Sequence, residues 1–361
     1  MNRNATQSAG QIIGQIESRQ VIGLDIAKNV FQLHSVDMAT GEIINVQLKR
    51  AKVLEHFANR QPCLIGIEAC GGAHHWARKL TAQGHRVRLI HAKAVRPFVA
   101  GNKTDASDAR AIWLAIQQPG SKFVGMKTLA QQATLTLHRQ RQMLMKIKIM
   151  QINALRGLLY EFGATFARGQ RALFSEIETT LESLVADIPQ YVADSLREQV
   201  QRIKQLMVDI KAIEVRLATV LRTDTDMKRV AAIPGVGLLT ATAAIATMGE
   251  AKAFKSAREF CAWLGLVPRQ HGTGGTGGRV KLLGISKRGD SYLRTLLIHG
   301  ARSVLTHTKE PGPWLEQIQA RRPANVVIVA QAAKMARTIW AVTARQQDYH
   351  RGWRSSTAQA A

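Results

Sequence analysis

The sequence predicts an α/β amino-terminal domain, followed by a long helical connector and a mainly α-helical carboxy-terminal domain. Three observations support this division. The chain has 361 residues, more than one ordinary hydrophobic core accommodates. Up to about residue 125, strand patterns first meander and then alternate with helix patterns, which is typical of a mixed sheet covered by helices. From Leu129 onward, apolar residues recur with the spacing of long helices.

The amino-terminal domain is predicted to span residues 18–125. Residues 20–48 have the pattern of β-structure, with a turn at Thr40 and Gly41. One helix is expected around residues 51–59. Another runs from Gly72 towards Gly84. The remaining segments indicate, in turn, the strand CLIGIEA, the strand RVRLIHA and the helix TDASDARAIWLAIQQ.

The connector is predicted to span residues 126–225. One long amphipathic helix begins near Leu129, and a second covers about Leu196 to Leu221, which favours an antiparallel helical hairpin. Basic residues lie between the apolar positions of the first helix. The hairpin therefore has two open interpretations: a structural spacer or dimerisation arm, and a surface that contacts nucleic acid directly.

The carboxy-terminal domain is predicted to span residues 226–345, and the tail that follows, residues 346–361, is expected to be disordered. The stretch VAAIPGVGLLTATAA indicates a helix, a tight turn and a second helix, which is the pattern of a helix-hairpin-helix. Backbone N–H groups at Gly235, at Gly237 and at the start of the second helix would hold a DNA phosphate. An ordinary turn between two helices is the alternative.

The chain carries 50 Lys and Arg residues against 25 Asp and Glu residues, a net charge of +25. This charge favours a polyanionic partner, and its spread along the chain favours nucleic acid over a membrane surface. The three cysteines lack the spacing of a disulfide framework or a zinc site. The first twenty residues contain no long apolar run, and the longest uncharged stretch, residues 230–249, is interrupted by Pro and Gly. We therefore expect a cytoplasmic protein without a membrane partner.

Two buried strands carry an acidic residue at the same relative position. In VIGLDIA, Asp25 shares a face with Gly23, and in LIGIEA, Glu68 shares a face with Gly66, opposite the large aliphatic side chains. If the strands are neighbours, about 4.8 Å apart, both carboxylates reach a common cation. A buried acid without a partner is costly, and neither strand has a Lys or Arg at an adjacent position on that face. The pattern therefore favours a metal ion.

The helix that begins in KTDASDAR adds two acids. Thr104 is its predicted N-cap, Asp105 lies in the first turn and Asp108 one turn later. The helix dipole alone would explain either acid, because it favours a carboxylate in the first turn by roughly 0.3–1 kcal/mol. Both acids, however, share the apolar face, including Ile112, that should pack on the sheet. Four carboxylates with hard oxygen ligands predict a Mg²⁺ or Mn²⁺ site for phosphodiester chemistry.

A glycine-rich segment, HGTGGTGGR, lies between basic residues in the carboxy-terminal domain. It lacks the ending of a P-loop, so a flexible loop is its default interpretation. It carries the hydroxyls of Thr273 and Thr276, and a mobile loop can bring a hydroxyl to a phosphodiester as nucleophile or positioner. The basic residues predicted to bind nucleic acid here are Arg269, Arg279, Lys281, Lys287 and Arg288.

Six motifs occur in the order found in the DEDD insertion-sequence transposases: GLDIAK, GIEACGGAHHWAR, KTDASDAR, IPGVGLLTATAAIA, FCAWLGLVPRQHGTGG and GISKRGDSYLRTLLIHGA. Over roughly residues 20–345 the chain resembles this family. Its members are bridge-RNA-guided recombinases whose amino-terminal domain is similar to the RuvC Holliday-junction resolvase.

The resemblance implies an RNase H-like (RuvC-like) amino-terminal domain in which the catalytic, Mg²⁺-binding acids are Asp25, Glu68, Asp105 and Asp108. It also implies a coiled-coil connector, a homodimer or homotetramer whose active site draws on two protomers, and DNA recombination in the bacterial cytoplasm at the nucleoid. A structured guide RNA would pair with the donor and target DNA. A carboxy-terminal serine would attack DNA and form a covalent intermediate.

One position departs from the family pattern. The residue that matches the family serine is Thr273, whose β-methyl group restricts its rotamers and crowds an in-line attack. Thr273 is the expected nucleophile, with Ser286 or an inactive copy as alternatives. The residues alone also leave three alternatives open. The first is a structure-selective nuclease in which the acids activate water, the second is an actin-like kinase or ATPase, and the third is a non-enzymatic architectural protein. The kinase would need a second Gly-rich phosphate hairpin, which the sequence lacks.

Overall fold

The computed structural model describes residues 20–102, 104–272 and 281–350. The chain forms two compact units, Met1–Thr128 and Leu129–Ala361. The amino-terminal unit has an α/β structure, whereas the carboxy-terminal unit is mostly helical. Both features agree with the predicted fold class.

The amino-terminal unit is built on a mixed sheet with helices packed on it. Its strands are β1 (Val21–Ile26), β2 (Val30–Val36), β3 (Ile43–Lys49), β4 (Leu64–Glu68), β5 (Arg86–Ile90) and β6 (Phe123–Val124). Its α-helices are α1 (Val53–Ala58), α2 (Ala73–Ala82), α3 (Ala92–Val95) and α4 (Asp105–Gln117). The strand order is β3-β2-β1-β4-β5-β6, with an antiparallel meander at one end and β1, β4 and β5 parallel to one another. The predicted mixed sheet is confirmed.

The two faces of the central strands bury different partners. On one face, Ile22 and Ile65 pack with helix α2, whose Trp76 is buried against them. On the other face, α4 buries Ile112 and Ile116. Full burial of such a side chain contributes roughly 1.5–3 kcal/mol, so both faces stabilise the unit. The alternation predicted for β1 and β4 is confirmed.

Glycines in β1 and β4 allow α4 to lie directly against the sheet. Gly23 and Gly66 are partners across the two strands. A Cβ atom on Gly23 would lie 2.1 Å from the carbonyl oxygen of Ala109, and one on Gly66 would lie 2.6 Å from the side chain of Ile116. Non-bonded atoms do not approach this closely in a packed core, so only glycine permits this contact.

We expect Gly23→Ala to destabilise the amino-terminal unit by about 3 kcal/mol or more, because α4 must move away from β1. Thermal unfolding measures the effect. Gly125→Ala is the matched control, since an added Cβ at Gly125 meets nothing within 4 Å. Equal unfolding midpoints for the two variants would show that α4 does not depend on the glycine contact.

The carboxy-terminal unit begins with two long helices and a shorter one between them in sequence. These are α5 (Leu129–Glu161), α6 (Gln170–Leu184) and α7 (Gln190–Thr223). The ion pair between Arg141 and Glu214 and the hydrogen bond between Gln151 and Gln199 show that α5 and α7 run antiparallel, as predicted. Helix α6 was not predicted. Its apolar positions, beginning with Leu173, pack into the core that the long helices share.

Among its described residues, the rest of this unit contains six α-helices and a two-stranded hairpin. The helices are α8 (Thr225–Ala231), α9 (Leu238–Met248), α10 (Ala257–Trp263), α11 (Ser291–His307), α12 (Pro313–Arg321) and α13 (Ala324–Arg345). The hairpin pairs β7 (Pro268–His271) with β8 (Lys281–Ile285) in antiparallel fashion. It was not predicted, because both strands are largely exposed and have no buried face to impose an alternating pattern.

A buried histidine joins α5 to the helices that follow the connector. His138 Nδ1 lies 2.9 Å from Tyr292 Oη, and its Nε2 lies 2.9 Å from Thr242 Oγ1. Burial, together with the charge of Arg141, lowers the pKa of His138 to about 4, so its ring is neutral at pH 7. The segment predicted as a connector is therefore packed into the same compact unit as the later helices.

One helix among the described residues, α13, is long and apolar enough to cross a membrane. Its buried side chains, including Ala332, Met335 and Ile339, belong to the main hydrophobic cluster of the carboxy-terminal unit. This position in a protein core accounts for the apolar composition of the helix.

The first residues of the tail, which was expected to be disordered from residue 346, contact other parts of the carboxy-terminal unit. Asp348 Oδ1 lies 3.2 Å from Arg229 Nε, and Tyr349 packs against the main hydrophobic cluster. These contacts with residues far along the chain correct the prediction for residues 346–350. Residues 351–361 lie outside the described residues.

Candidate active site

The two strand acids lie at the carboxyl ends of β1 and β4. The strands are parallel neighbours with Gly23 opposite Gly66, so the acids two residues further along, Asp25 and Glu68, share the glycine face. Both acids are half-buried. Adjacent positions on paired strands are about 4.8 Å apart. The condition stated for a shared cation, that the two strands are neighbours, is met.

Helix α4 brings its first turn to the same end of the sheet. Trp113 Nε1 donates a hydrogen bond of 3.2 Å to the carbonyl oxygen of Val21, at the start of β1. Ala109, one turn earlier in the helix, lies against Gly23 in the middle of β1. Helix α4 therefore runs antiparallel to β1, and its first turn lies beside the end of the strand.

A capping box fixes the start of α4. Thr104 Oγ1 accepts a hydrogen bond of 3.1 Å from the Ser107 N–H, and Ser107 Oγ accepts one of 3.0 Å from the Thr104 N–H. The predicted N-cap is confirmed, and such a cap stabilises a helix by about 1 kcal/mol. It holds Asp105 and Asp108 on an ordered turn, where Asp105 is exposed and Asp108 half-buried.

The four acids form one electrostatic cluster. Burial, followed by the charges of Asp108, Asp105 and Glu68, raises the pKa of Asp25 from 3.8 to about 6. Among the described residues, no Lys or Arg forms an ion pair with Asp25 to offset this effect. A carboxyl with a raised pKa beside other acids is typical of a functional site.

The carboxylates are close enough to repel one another without converging on one point. Across residues 20–102, 104–272 and 281–350, no group of three or more His, Cys, Asp or Glu side chains is placed to hold a metal ion. The two observations are compatible, because repulsion acts well beyond a coordination distance of about 2.0–2.6 Å. The donor set, carboxylate oxygen alone, fits Mg²⁺ or Mn²⁺.

The predicted turn joins α8 and α9, and its two glycines differ in accessibility. Gly235 has a φ of +84°, and a Cβ there would lie 2.8 Å from the carbonyl oxygen of Gly300 and 2.7 Å from Val304 Cγ2. Gly235 is therefore needed for packing against α11. Gly237 is the N-cap residue of α9, is exposed, and has open space at its Cβ position. Gly237 is therefore the more exposed of the two glycines.

Four of the predicted nucleic-acid-binding residues lie on the β7–β8 hairpin and the turn after it. Arg269 is on β7, Lys281 is on β8, and Lys287 and Arg288 follow β8. All four side chains are exposed. The structure therefore places these four cations on accessible surface within one short stretch of the carboxy-terminal unit.

The expected nucleophile, Thr273, and the predicted DNA-binding residue Arg279 lie outside the described residues. The alternative nucleophile, Ser286, is described. Its Oγ is buried and has no hydrogen-bond partner within the described part of the chain. Since a buried hydroxyl cannot reach a phosphodiester, this observation argues against Ser286 as the nucleophile.

Two family models match the chain. Residues 22–163 match the DEDD model of the IS110 group, described as "Transposase", and residues 227–314 match the model described as "Transposase IS116/IS110/IS902 family". The DEDD match includes all four acids of the cluster. A DEDD transposase domain has an RNase H-like fold and typically depends on a divalent metal, in agreement with the mixed sheet described above.

Several curated proteins are similar to almost the whole chain. "Probable family 20 transposase" of Pseudomonas aeruginosa is 44% identical over 92% of this chain and 98% of that protein. "Transposase for insertion sequence element IS1111A" of Coxiella burnetii is 39% identical over 92% of each. "Transposase for insertion sequence element IS1328" of Yersinia enterocolitica is 36% identical over 90% of this chain and 96% of that protein. The chain therefore belongs to the IS116/IS110/IS902 family of transposases, enzymes that cleave and transfer DNA strands.

Proposed function

We propose that the chain is the site-specific recombinase of an insertion sequence and that its acidic cluster holds Mg²⁺, for which Mn²⁺ can substitute. The proposed ligands and catalytic acids are Asp25, Glu68, Asp105 and Asp108. The placement of Asp25 and Glu68 on paired strands, beside the capped first turn of α4, carries this proposal. The raised pKa of Asp25 agrees with it. A divalent cation would offset the repulsion among these acids.

In this proposal the acids orient the scissile phosphate. A bound divalent ion supplies stabilisation of the charge that develops on the attacking and leaving oxygens. Asp25 and Glu68 are held by paired strands, and Asp105 and Asp108 by a capped helix, so little reorganisation of the backbone is needed. The acids thus form half of a composite site.

The proposed nucleophile is Thr273. Its Oγ forms a bond to phosphorus while the bond from phosphorus to a DNA oxygen breaks; the threonine proton is released and the departing DNA oxygen gains a proton. The match of Thr273 to the family serine and the buried Oγ of Ser286 support this choice. Neighbouring phosphates would be held by Arg269, Arg279, Lys281, Lys287 and Arg288, and by the backbone N–H groups of Gly235 and Gly237 in a helix-hairpin-helix.

The alternative is a metal-dependent, structure-selective endonuclease that uses activated water. One observation favours it: the four acids lie together within the amino-terminal unit alone, and activation of water by such a cluster needs no threonine. The two functions differ in whether a covalent protein–DNA intermediate forms.

The proposed partners are DNA, a structured guide RNA and further copies of this chain, in the bacterial cytoplasm at the nucleoid and without a membrane. The charge of +25 supports the nucleic-acid partners. The hairpin of α5 and α7, proposed as a coiled coil, exposes the apolar side chains of Met143, Met150 and Val208. Such side chains support a homodimer or homotetramer formed through this hairpin.

Purification of the full-length protein from cells that carry the whole element tests the guided mechanism. A discrete small RNA should co-purify, and changing its sequence should redirect strand transfer between defined DNA sites in Mg²⁺. Asp25→Asn is the matched control, because it should retain the RNA and lose strand transfer. Site-specific recombination by RNA-free protein would contradict the guided mechanism.

A further inference from the structure

Two backbone turns pack against each other where β8 leads into α11. We name residues 286–290 the basic turn and residues 263–266 the supporting turn. Gly265 and Gly289 both have a φ of +74°. A Cβ on Gly289 would lie 1.8 Å from the carbonyl oxygen of Trp263, and one on Gly265 would lie 2.3 Å from the backbone of the basic turn. The two turns are therefore in direct backbone contact.

Lys287 is held in an unfavourable backbone conformation within the basic turn. Its φ of +54° lies in the left-handed region, which L-residues other than glycine adopt at a cost. Its N–H donates to the carbonyl oxygen of Gly265 at 3.1 Å, and the Ser286 N–H donates to that of Val267 at 2.8 Å. A conformation of this kind persists only where its surroundings impose it, and such residues are concentrated at functional sites.

The side chain of Arg294, in α11, bridges the two turns. Its Nη1 donates to the carbonyl oxygen of Leu264 in the supporting turn at 2.9 Å and to that of Arg288 in the basic turn at 2.8 Å. Arg294 is half-buried, whereas the side chains of Lys287 and Arg288 are exposed. Hydrogen bonds from a charged donor are stronger than neutral ones, so Arg294 ties the strained turn to its support.

We infer that Arg294 is a positioning residue for DNA binding: it fixes the basic turn so that Lys287 and Arg288 meet neighbouring phosphates of one DNA strand. The inference rests on the proposed DNA contacts of these two residues. Without the bridge, Lys287 can leave the left-handed region, and both cations lose their fixed direction. A turn fixed before binding loses less conformational freedom when the phosphates arrive.

A double-substitution cycle on the full-length protein tests this role, with a short DNA duplex of arbitrary sequence as the probe. Lys287→Gln should weaken binding roughly fivefold to tenfold and lower the slope of log affinity against log salt concentration by about 0.9. In the Arg294→Gln background, the same substitution should weaken binding by less than about twofold, because the turn no longer presents its cation.

Two further variants separate positioning from charge and from misfolding. Arg302→Gln removes the same charge from an exposed position of α11, and Lys287→Gln should keep its full effect in that background. Arg294→Lys retains the charge but lacks the guanidinium group that bridges the two turns. The backbone amide hydrogen of Lys287 should therefore exchange with solvent about tenfold faster, while the protein stays folded.

The outcomes distinguish the inference from the function on which it rests. If Lys287→Gln weakens binding equally with and without Arg294, the positioning role is wrong and the DNA contact stands. If neither Lys287→Gln nor Arg288→Gln changes the affinity or the salt slope, the proposed contact of the basic turn fails, and the inference fails with it.

Discussion

Asp25→Asn should reduce strand cleavage and strand transfer by about a thousandfold or more. Asparagine keeps the shape of aspartate but supplies no negative charge to a divalent cation, and Asp25 is the acid on which burial and the other three charges act together. The reaction of labelled DNA in Mg²⁺, followed over time, measures the loss. The variant should bind DNA normally, because it leaves every Lys and Arg side chain in place.

The same substitution should stabilise the metal-free protein. The pKa of Asp25 is about 6 in the folded protein, above its ordinary value of 3.8. Protonated Asp25 therefore contributes to stability below pH 4, and this contribution is lost as the pH rises through 6. Allowing for solvent screening of a partly exposed group, the loss is roughly 1–2 kcal/mol. Asp25→Asn should therefore unfold at a higher temperature than wild type at pH 7.5 in a chelator, and at the same temperature near pH 4.

Glu42→Gln is the matched control for both effects. Glu42 is an exposed acid of the same unit, and it has no part in the raised pKa of Asp25. Its removal should change neither the reaction rate nor the dependence of stability on pH. If the chelator-treated Asp25→Asn protein were less stable than wild type at pH 7.5, the claim that the four acids repel one another would be wrong.

Thr273→Ala should abolish the covalent protein–DNA intermediate and reduce strand transfer by about a thousandfold or more, whereas Thr273→Ser should preserve both. Serine keeps the attacking hydroxyl and removes the methyl group that crowds it. After reaction with labelled DNA, denaturing electrophoresis shows the intermediate as a band that a protease removes.

Two neighbouring hydroxyls provide controls for Thr273. Thr276→Ala removes a hydroxyl from the same glycine-rich segment, and Ser286→Ala removes a hydroxyl whose oxygen is buried. Both variants should retain the intermediate. Unchanged strand cleavage by Thr273→Ala would instead favour the endonuclease that uses activated water.

The core of the amino-terminal unit could be predicted from local patterns because β1 and β4 each have one apolar face and one face that carries a glycine. That alternation located Asp25 and Glu68, and capping chemistry located the start of α4 at Thr104. The hairpin of β7 and β8 could not be found in this way. Its strands are exposed, so neither packing nor burial leaves a pattern in the sequence.

Contacts between distant parts of the chain explain the other differences. Gly235 has the sequence context of a phosphate-binding turn, but its close approach to Gly300 is set by how α11 packs. Arg294 occupies an ordinary helical position in sequence, and its role depends on carbonyl groups of two separate turns. Whether the four acids converge on one point also depends on their side-chain torsions. Repulsion among the acids opposes that convergence.

Calorimetric titration of the full-length, chelator-treated protein with Mn²⁺ tests the acidic cluster most directly. Wild type and Glu42→Gln should bind Mn²⁺ with the same affinity, and excess Mg²⁺ should compete. Asp25→Asn and Glu68→Gln should each bind at least about tenfold more weakly, because each removes one charged oxygen ligand. Equal Mn²⁺ affinity of wild type and Asp25→Asn would contradict the claim that these carboxylates form the metal site.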